Sequence, residues 1–120
     1  MRALFDTNVL IDYLNGIEAA KAELARYEKP AISIISWIEV LAGADPSIEG
    51  ETRKFLLIFE RIELTEAIAE RAVALRRTTK LRIPDAIILG TARAENLLLV
   101  TRNTKDFPAD EPAIRIPYRI

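Results

Sequence analysis

Short apolar runs alternate along this chain with longer amphipathic stretches, and this alternation restricts the fold more than any other feature. Residues 3–5, 31–35 and 97–100 are apolar runs of strand length, whereas Ile68, Ala72 and Leu75 recur at helical spacing in a segment that begins at Thr65. Strands separated by helices usually form a parallel sheet that helices cover. The sequence therefore predicts an α/β fold with a mainly parallel sheet, and its 120 residues are expected to form one domain.

Several helix ends carry recognisable signals. Asn8 is a candidate cap for the first helix, and the Asn15-Gly16 pair is typical of its end. Ser36, with Glu39 three residues later, matches a capping box. Pro84 suits a helix start, which places Asp85 in the first turn of a helix reaching about residue 95.

Phe55, Ile58, Phe59 and Ile62 repeat at helical spacing. Such a stripe belongs either to the core or to a subunit interface. Two further leucines at positions 56 and 57 widen the apolar arc beyond what one small sheet requires. We expect the helix between residues 50 and 62 to contribute to self-association, and thus a homodimer.

The chain contains no His and no Cys. This composition excludes disulfides, thiol nucleophiles, histidine general bases and the usual zinc or non-haem iron sites. Chemistry near neutral pH must depend on carboxylates, hydroxyls, Lys and Arg, or a hard metal ion.

The net charge of −1 hides an uneven distribution. Residues 1–70 hold 7 basic and 13 acidic side chains, whereas residues 71–105 hold 8 basic and 2 acidic ones. This asymmetry is compatible with a polyanion-binding face or with an ordinary solvated helix face. No apolar run approaches the ~20 residues that span a membrane, so we expect a soluble, cytoplasmic protein without membrane contact.

Three acidic residues stand beside predicted secondary structure. Asp6 directly follows the first strand, Glu39 lies among apolar neighbours, and Asp85 opens a helix. Each has a structural explanation: a turn residue, a capping box and a favourable helix-dipole position. In a parallel sheet, however, the carboxyl ends of the strands meet at one edge, where ligands bind. Crowded carboxylates stay ionised when a cation compensates them, and hard oxygens favour Mg²⁺ or Mn²⁺.

Four segments together carry a family resemblance: LFDTNVLID at 4–12, SIISWIEVLAG at 33–43, IPDAII at 83–88 and LVTRNTKDF at 99–107. In this order they resemble PIN-domain ribonucleases, specifically the VapC-type toxins of toxin–antitoxin pairs. The resemblance implies a PIN-like three-layer α/β/α sandwich over residues 1–120. It also implies a usually dimeric, Mg²⁺- or Mn²⁺-dependent endoribonuclease that cleaves RNA with a metal-activated water. A cognate, VapB-like antitoxin is expected to hold it inactive.

The resemblance also assigns roles by position. Asp6, Glu39 and Asp85 correspond to the acidic residues that hold the metal. Asn103 occupies the most suitable place for the family's fourth site residue, with Asp106 close by, and this leaves open whether one metal ion or two are bound. Supporting hydroxyl groups correspond to Thr7 and Thr101, whereas Asn8 and Asp12 correspond to a helix cap and to a residue behind the site or on the surface. The candidates for contacts with the RNA backbone are Arg82, Arg93, Arg102 and Lys105.

Two other functions fit parts of the sequence. In a non-catalytic PIN-like module that binds RNA or protein, the acidic residues serve as caps and ion pairs. A small-molecule phosphohydrolase of the haloacid dehalogenase type also begins with a strand followed by Asp-x-Asp. Here Asn8 replaces the second Asp, which such an enzyme uses as its acid or base.

Overall fold

A five-stranded sheet forms the middle of the protein, in a computed structural model that describes residues 2–107, 111 and 113–120. Every neighbouring pair of strands is parallel, so the predicted α/β class is confirmed. In spatial order the strands are β3 (Glu60–Ile62), β2 (Ala31–Ser33), β1 (Ala3–Phe5), β4 (Leu98–Val100) and β5 (Ile114–Arg115). In the central strand, β1, Leu4 lies opposite Ala31 on one side and Leu99 on the other.

Helices connect the strands and cover both faces of the sheet. Along the described chain they are α1 (Thr7–Leu14), α2 (Glu18–Leu24), α3 (Ile34–Gly43), α4 (Glu49–Leu56), α5 (Glu66–Thr78) and α6 (Ile83–Ala94), with a 3₁₀ turn at Pro46–Ile48. None of the helices in the described residues is long and apolar enough to cross a lipid bilayer.

Side chains on alternate strand positions enter two separate apolar cores. Leu4 and Leu99 pack with the buried faces of α5 and α6. Phe5 and Val100, one position further along their strands, pack with residues of α1 to α4 on the opposite face. A sheet with helices packed on both faces is the expected three-layer α/β/α sandwich.

The predicted helix starts are partly wrong. Asp6 caps α1, so Asn8 lies inside the first turn of that helix. The cap of α3 is Ser33, whose hydroxyl accepts a hydrogen bond from the Ile35 N–H at 3.0 Å. Because α3 begins one turn earlier than predicted, Ser36 is a buried helix residue and the capping box does not form. This removes the structural explanation of Glu39.

The segment with helical spacing from residue 55 to residue 62 divides between two elements. The helix α4 ends at Leu56, and the strand β3 begins at Glu60. Phe55 and Phe59 are buried in the core, whereas Ile58 is 54% exposed. The turn between the two elements thus carries the exposed apolar surface that the sequence assigns to a longer helix.

The strand order determines where a ligand site forms. From β1 the chain proceeds to β2 and β3 on one side, and it then crosses back through α5 and α6 to β4 on the other side of β1. Ligand crevices of open parallel sheets lie at the carboxyl ends of the strands where the order reverses. In this protein that place is the end of β1 and β4, immediately before Asp6 and Thr101.

Candidate active site

Asp6 is the buried centre of the site, with only 4% of its surface exposed. It follows β1 directly, and its Oδ1 accepts a hydrogen bond from the Thr7 N–H at 2.8 Å as the cap of α1. Burial raises the pKa of Asp6 from 3.8 to about 6. Hydrogen bonds from Thr101 and Thr7 oppose this rise, and the negative charges of Asp85 and Glu39 add to it.

Thr101 and Asn8 hold the other oxygen of Asp6. The Thr101 hydroxyl donates to Asp6 Oδ2 at 2.7 Å and is fully buried. It accepts hydrogen bonds from Asn8 Nδ2 at 3.2 Å and from the Asn103 N–H at 3.0 Å. Asn8 Nδ2 also lies 3.4 Å from Asp6 Oδ2. A hydroxyl has one proton and two lone pairs, so all three are in use. The two accepted hydrogen bonds fix the Thr101 hydroxyl in the orientation in which it donates its proton to Asp6.

Glu39 meets this group through the neighbouring helix. The Thr7 hydroxyl lies 2.7 Å from Glu39 Oε1 and 2.9 Å from the buried hydroxyl of Ser36. It can donate its proton to the carboxylate while accepting one from Ser36. Thr7 therefore joins the first turn of α1 to α3, and Glu39 sits on the exposed side of that joint.

Asp85 approaches from the first turn of α6 and is partly buried. Burial raises its pKa, and the carboxylates of Asp106 and Glu39 raise it further, while the Arg82 guanidinium lowers it. These effects place Asp85 in electrostatic contact with acids from two other parts of the chain. Three of the sequence-predicted acids, Asp6, Glu39 and Asp85, are therefore brought together at the carboxyl end of the sheet.

The loop after β4 contains both candidates for the fourth site residue. Asn103 Oδ1 accepts hydrogen bonds from the N–H groups of Lys105 at 3.1 Å and Asp106 at 3.0 Å, and its Nδ2 donates to Asp106 Oδ2 at 3.1 Å. Both lone pairs of the amide oxygen are thus engaged inside the loop. Asp106 is exposed, and its charge reaches Asp85.

The donor set fits a hard divalent cation. It consists of carboxylate and hydroxyl oxygens, and the mutual repulsion of its carboxylates is what a cation relieves. Within residues 2–107, 111 and 113–120, no three acidic side chains converge closely enough to enclose a metal ion by themselves. Asp6, Glu39 and Asp85 are therefore close enough for their charges to interact, but they do not enclose an ion without further ligands, and Mg²⁺ usually keeps several water ligands of its own.

The four basic residues predicted to contact RNA lie in different surroundings. The guanidinium of Arg102 binds Asp12 through two hydrogen bonds of 2.6 and 3.0 Å, and Arg93 pairs with Glu111. Arg82 is exposed beside Asp85, and Lys105 is exposed in the loop after β4. Sequence reasoning missed the pairing of Arg102 with Asp12, because nothing local connects residues 90 positions apart.

Comparisons with known proteins agree on one family. The family model for the PIN domain matches residues 3–109. Ribonuclease VapC10 from Mycobacterium tuberculosis is 34% identical, over 98% of this chain and 93% of that protein. A chain in a toxin–antitoxin complex from Klebsiella pneumoniae is 50% identical with a TM-score of 0.93, covering 98% of this chain and 99% of that one. FitAcB from Neisseria gonorrhoeae, at 23% identity and a TM-score of 0.82 over the full length of both chains, shares the fold.

Proposed function

Because this chain belongs to the PIN-domain family and is a ribonuclease of its VapC type, we propose that it cleaves RNA with a divalent metal held by Asp6, Glu39 and Asp85. Nucleases of this type are metal-dependent in general, and Mg²⁺ or Mn²⁺ suits the oxygen donors present here. A divalent metal held by Asp6, Glu39 and Asp85 would supply an activated water as the nucleophile for hydrolysis of the RNA phosphodiester bond.

The observation that carries this proposal is the electrostatic state of Asp6. A carboxyl that merely capped a helix at the surface would keep a low pKa, whereas burial and two neighbouring carboxylates raise the pKa of this one. Perturbed carboxyls of this kind cluster at functional sites. A divalent cation is the simplest species that makes the ionised cluster stable.

Other residues around the proposed metal site orient its carboxylates or supply its fourth acidic position. Thr101 and Thr7 fix the oxygens of Asp6 and Glu39 by hydrogen bonds, so these carboxylates are oriented before a substrate binds. Asp106 supports the fourth role better than Asn103 does, because the Asn103 amide oxygen is already engaged by two N–H donors. We accordingly assign the fourth position to Asp106 and a loop-forming role to Asn103.

Positive charge for RNA lies next to this cluster. Arg82 reaches Asp85 electrostatically and is exposed, and Lys105 stands on the loop that carries Asp106. Further exposed basic side chains without an ion-pair partner among the described residues are Arg71, Arg76, Arg77 and Lys80. Contacts of this type position the phosphate backbone and carry no sequence information, so they support binding and leave the choice of RNA to other groups.

The proposed biological role is that of the toxin in a toxin–antitoxin pair. The support is the 50% identity to a chain of the Klebsiella toxin–antitoxin complex over nearly the full length of both chains. By the same similarity we propose a VapB-like antitoxin as the inhibitory partner. We also propose a homodimer, because exposed Ile58 extends the apolar surface of the turn after α4, and the cytoplasm as the location.

The test uses the purified chain freed of any antitoxin. Structured RNAs are incubated with it in Mg²⁺, Mn²⁺ or EDTA, alongside the Asp6→Asn and Asp85→Asn variants. Asp45→Asn is the matched control, because Asp45 is an exposed aspartate that caps the 3₁₀ turn and asparagine retains that capping ability. We expect cleavage by the wild type and the control with metal, and no cleavage in EDTA or by the two site variants.

Other outcomes identify other functions. Cleavage in EDTA, or cleavage that survives both site substitutions, contradicts the metal-dependent mechanism. An inactive wild type that still binds RNA or antitoxin is a non-catalytic module, and one that hydrolyses a phosphomonoester but not RNA is a phosphohydrolase.

A further inference from the structure

Two residues of helix α1 form hydrogen bonds with the loop after β4. Asn8 and Asp12 are four residues apart and therefore share one face of the helix. Asn8 Oδ1 accepts the backbone N–H of Arg102 at 3.1 Å, and Asp12 accepts the guanidinium of the same residue at 2.6 Å from Nε and 3.0 Å from Nη2. Two successive turns of one helix thus hold the backbone and the side chain of a single loop residue.

The Asp12 carboxylate has a third donor from the end of the chain. Tyr118 donates its hydroxyl to Asp12 Oδ2 at 2.7 Å, and the Asp12 side chain is only 8% exposed. Burial alone would raise the pKa of Asp12, but the hydrogen bonds from Arg102 and Tyr118 outweigh it and hold the pKa below its usual value. The carboxylate therefore stays ionised and keeps the bidentate pair closed. We call Asp12, Arg102 and Tyr118 the Asp12 clamp.

The clamp is next to the catalytic carboxylate along the chain and in space. Arg102 directly follows Thr101, whose hydroxyl holds Asp6 Oδ2. Asn8, which takes the Arg102 N–H with its oxygen, gives its amide protons to Thr101 and towards Asp6. Resting on the function proposed above, we infer that the Asp12 clamp is a positioning device that fixes the loop after β4 so that Thr101 keeps Asp6 oriented towards the metal.

A second cluster, in which a glutamate takes the place of the aspartate, provides a comparison within the same protein. Glu23 accepts the guanidinium of Arg115 at 2.7 and 3.0 Å and the hydroxyl of Tyr27 at 2.9 Å, and its side chain is 4% exposed. We call these three residues the Glu23 clamp. It joins α2 to the edge strand β5. Among the described residues, its hydrogen bonding with Thr101 consists of one backbone bond within the sheet, from the Thr101 N–H to the Arg115 carbonyl.

This assignment replaces the expected role of Arg102 as an RNA contact. Its guanidinium fork is occupied by one carboxylate, and that side chain is 32% exposed. A lysine preserves charge towards a phosphate but cannot reproduce the two parallel N–H donors that Asp12 binds. Lysine at this position therefore separates the two roles.

The first arm of the test measures RNA cleavage by antitoxin-free protein with Mg²⁺. For Arg102→Lys we expect kcat to fall on the order of tenfold with KM nearly unchanged, since small displacements of catalytic groups have effects of this size. Tyr118→Phe removes one hydroxyl and preserves folding, so a smaller fall in kcat is expected. Tyr27→Phe, the matched change in the Glu23 clamp, should leave kcat at the wild-type value.

The second arm combines amide resonances, which need neither metal nor RNA, with a salt titration of RNA binding. In EDTA, the ¹⁵N resonances of the Asn8 side-chain amide and of the residue 102 backbone should shift in Tyr118→Phe and Arg102→Lys, and stay at wild-type positions in Tyr27→Phe. Arg102→Gln should leave the slope of log binding constant against log salt unchanged. Loss of a phosphate contact would instead reduce that slope by ~0.7 for single-stranded RNA.

The two arms distinguish failure of the clamp from failure of the enzyme assignment. An inactive wild type overturns the proposed function, and the resonances then decide the structural coupling alone. Unshifted Asn8 and residue 102 resonances overturn the clamp, and so does an activity loss that lies in KM or in the salt slope.

Discussion

Replacing Asp6 with asparagine should abolish cleavage and yet stabilise the metal-free protein at neutral and alkaline pH. The pKa of Asp6 is raised from 3.8 to about 6 in the folded state, chiefly by burial. A carboxyl with a raised pKa stabilises the fold only while it is protonated, so its contribution is complete below about pH 3.8 and is lost as the pH rises through about 6. The wild type should therefore lose folding stability between pH 4 and pH 8 as Asp6 ionises. The Asp6→Asn variant does not share this loss, so its free energy of unfolding should rise relative to that of the wild type.

The size of the effect follows from linkage. One pKa unit corresponds to about 1.4 kcal/mol, so between pH 4 and pH 8 the variant should gain about 2–3 kcal/mol relative to the wild type. Asparagine still accepts the Thr7 N–H as a cap, but its amide nitrogen would face the Thr101 hydroxyl and the Asn8 amide, whose hydrogen bonds Asp6 Oδ2 accepts now. This mismatch lowers stability by roughly 1 kcal/mol at every pH and leaves the pH-dependent part intact.

The assay is urea unfolding in EDTA at several pH values from 4 to 8. Asp45→Asn is the control, because hydrogen bonds from Ser47 lower the pKa of Asp45 and its pH dependence has the opposite sign. If the free energies of unfolding of Asp6→Asn and the wild type differ by the same amount at every pH from 4 to 8, the claim that burial and neighbouring carboxylates destabilise ionised Asp6 is refuted.

Three further outcomes test other parts of the structure. Thr101→Val should lower the free energy of unfolding by about 2–4 kcal/mol in urea and raise the pKa of Asp6 further. The reason is that the buried Asp6 carboxylate loses a donor and two N–H groups lose their acceptor. The matched Thr91→Val, which breaks only a hydrogen bond to a helix carbonyl, should do neither. Glu23→Gln should lower stability by about 2–4 kcal/mol at pH 7, and the loss should shrink as the pH falls through the lowered pKa of Glu23; an equal loss at pH 3 would contradict the ion pair. If the turn after α4 contributes to a homodimer, Ile58→Ser should raise the dimer dissociation constant at least about tenfold in sedimentation while changing stability by about 0.5 kcal/mol or less; an unchanged dimer would exclude this surface.

Local patterns of the sequence were sufficient for the elements whose signals do not conflict. The central strand Ala3–Phe5 and the helix that follows the Thr65 cap lie where apolar spacing and capping chemistry predict them. The second strand was less predictable, since the residues from 31 to 35 are apolar except for Ser33 and suit a strand or a buried helix equally. The Ser33 hydroxyl decides between them by capping α3 two residues before the run ends.

The sequence predicts which residues form the candidate site, but it does not predict the hydrogen bonds among them. Asp6 follows a strand and Asp85 lies in the first turn of a helix, whereas Glu39 lies in the second turn of α3. The parallel sheet brings the strand ends and the helix starts together at one edge. The bidentate pair of Arg102 with Asp12 joins residues 90 positions apart, and no periodicity reports such a contact. The use of the Asn103 amide by its own loop was equally hidden, because it depends on the turn that follows β4.

The most direct test of the metal assignment is to measure Mn²⁺ binding to the antitoxin-free protein. The electron paramagnetic resonance signal of free Mn²⁺ reports how much of the ion is bound. We expect Asp6→Asn and Asp85→Asn to weaken binding by at least about tenfold, Asp106→Asn to weaken it and Asn103→Ala to weaken it less than Asp106→Asn does. Asp45→Asn should bind as the wild type does. Wild-type affinity in both Asp6→Asn and Asp85→Asn would show that the metal, if one is needed, binds elsewhere in the protein.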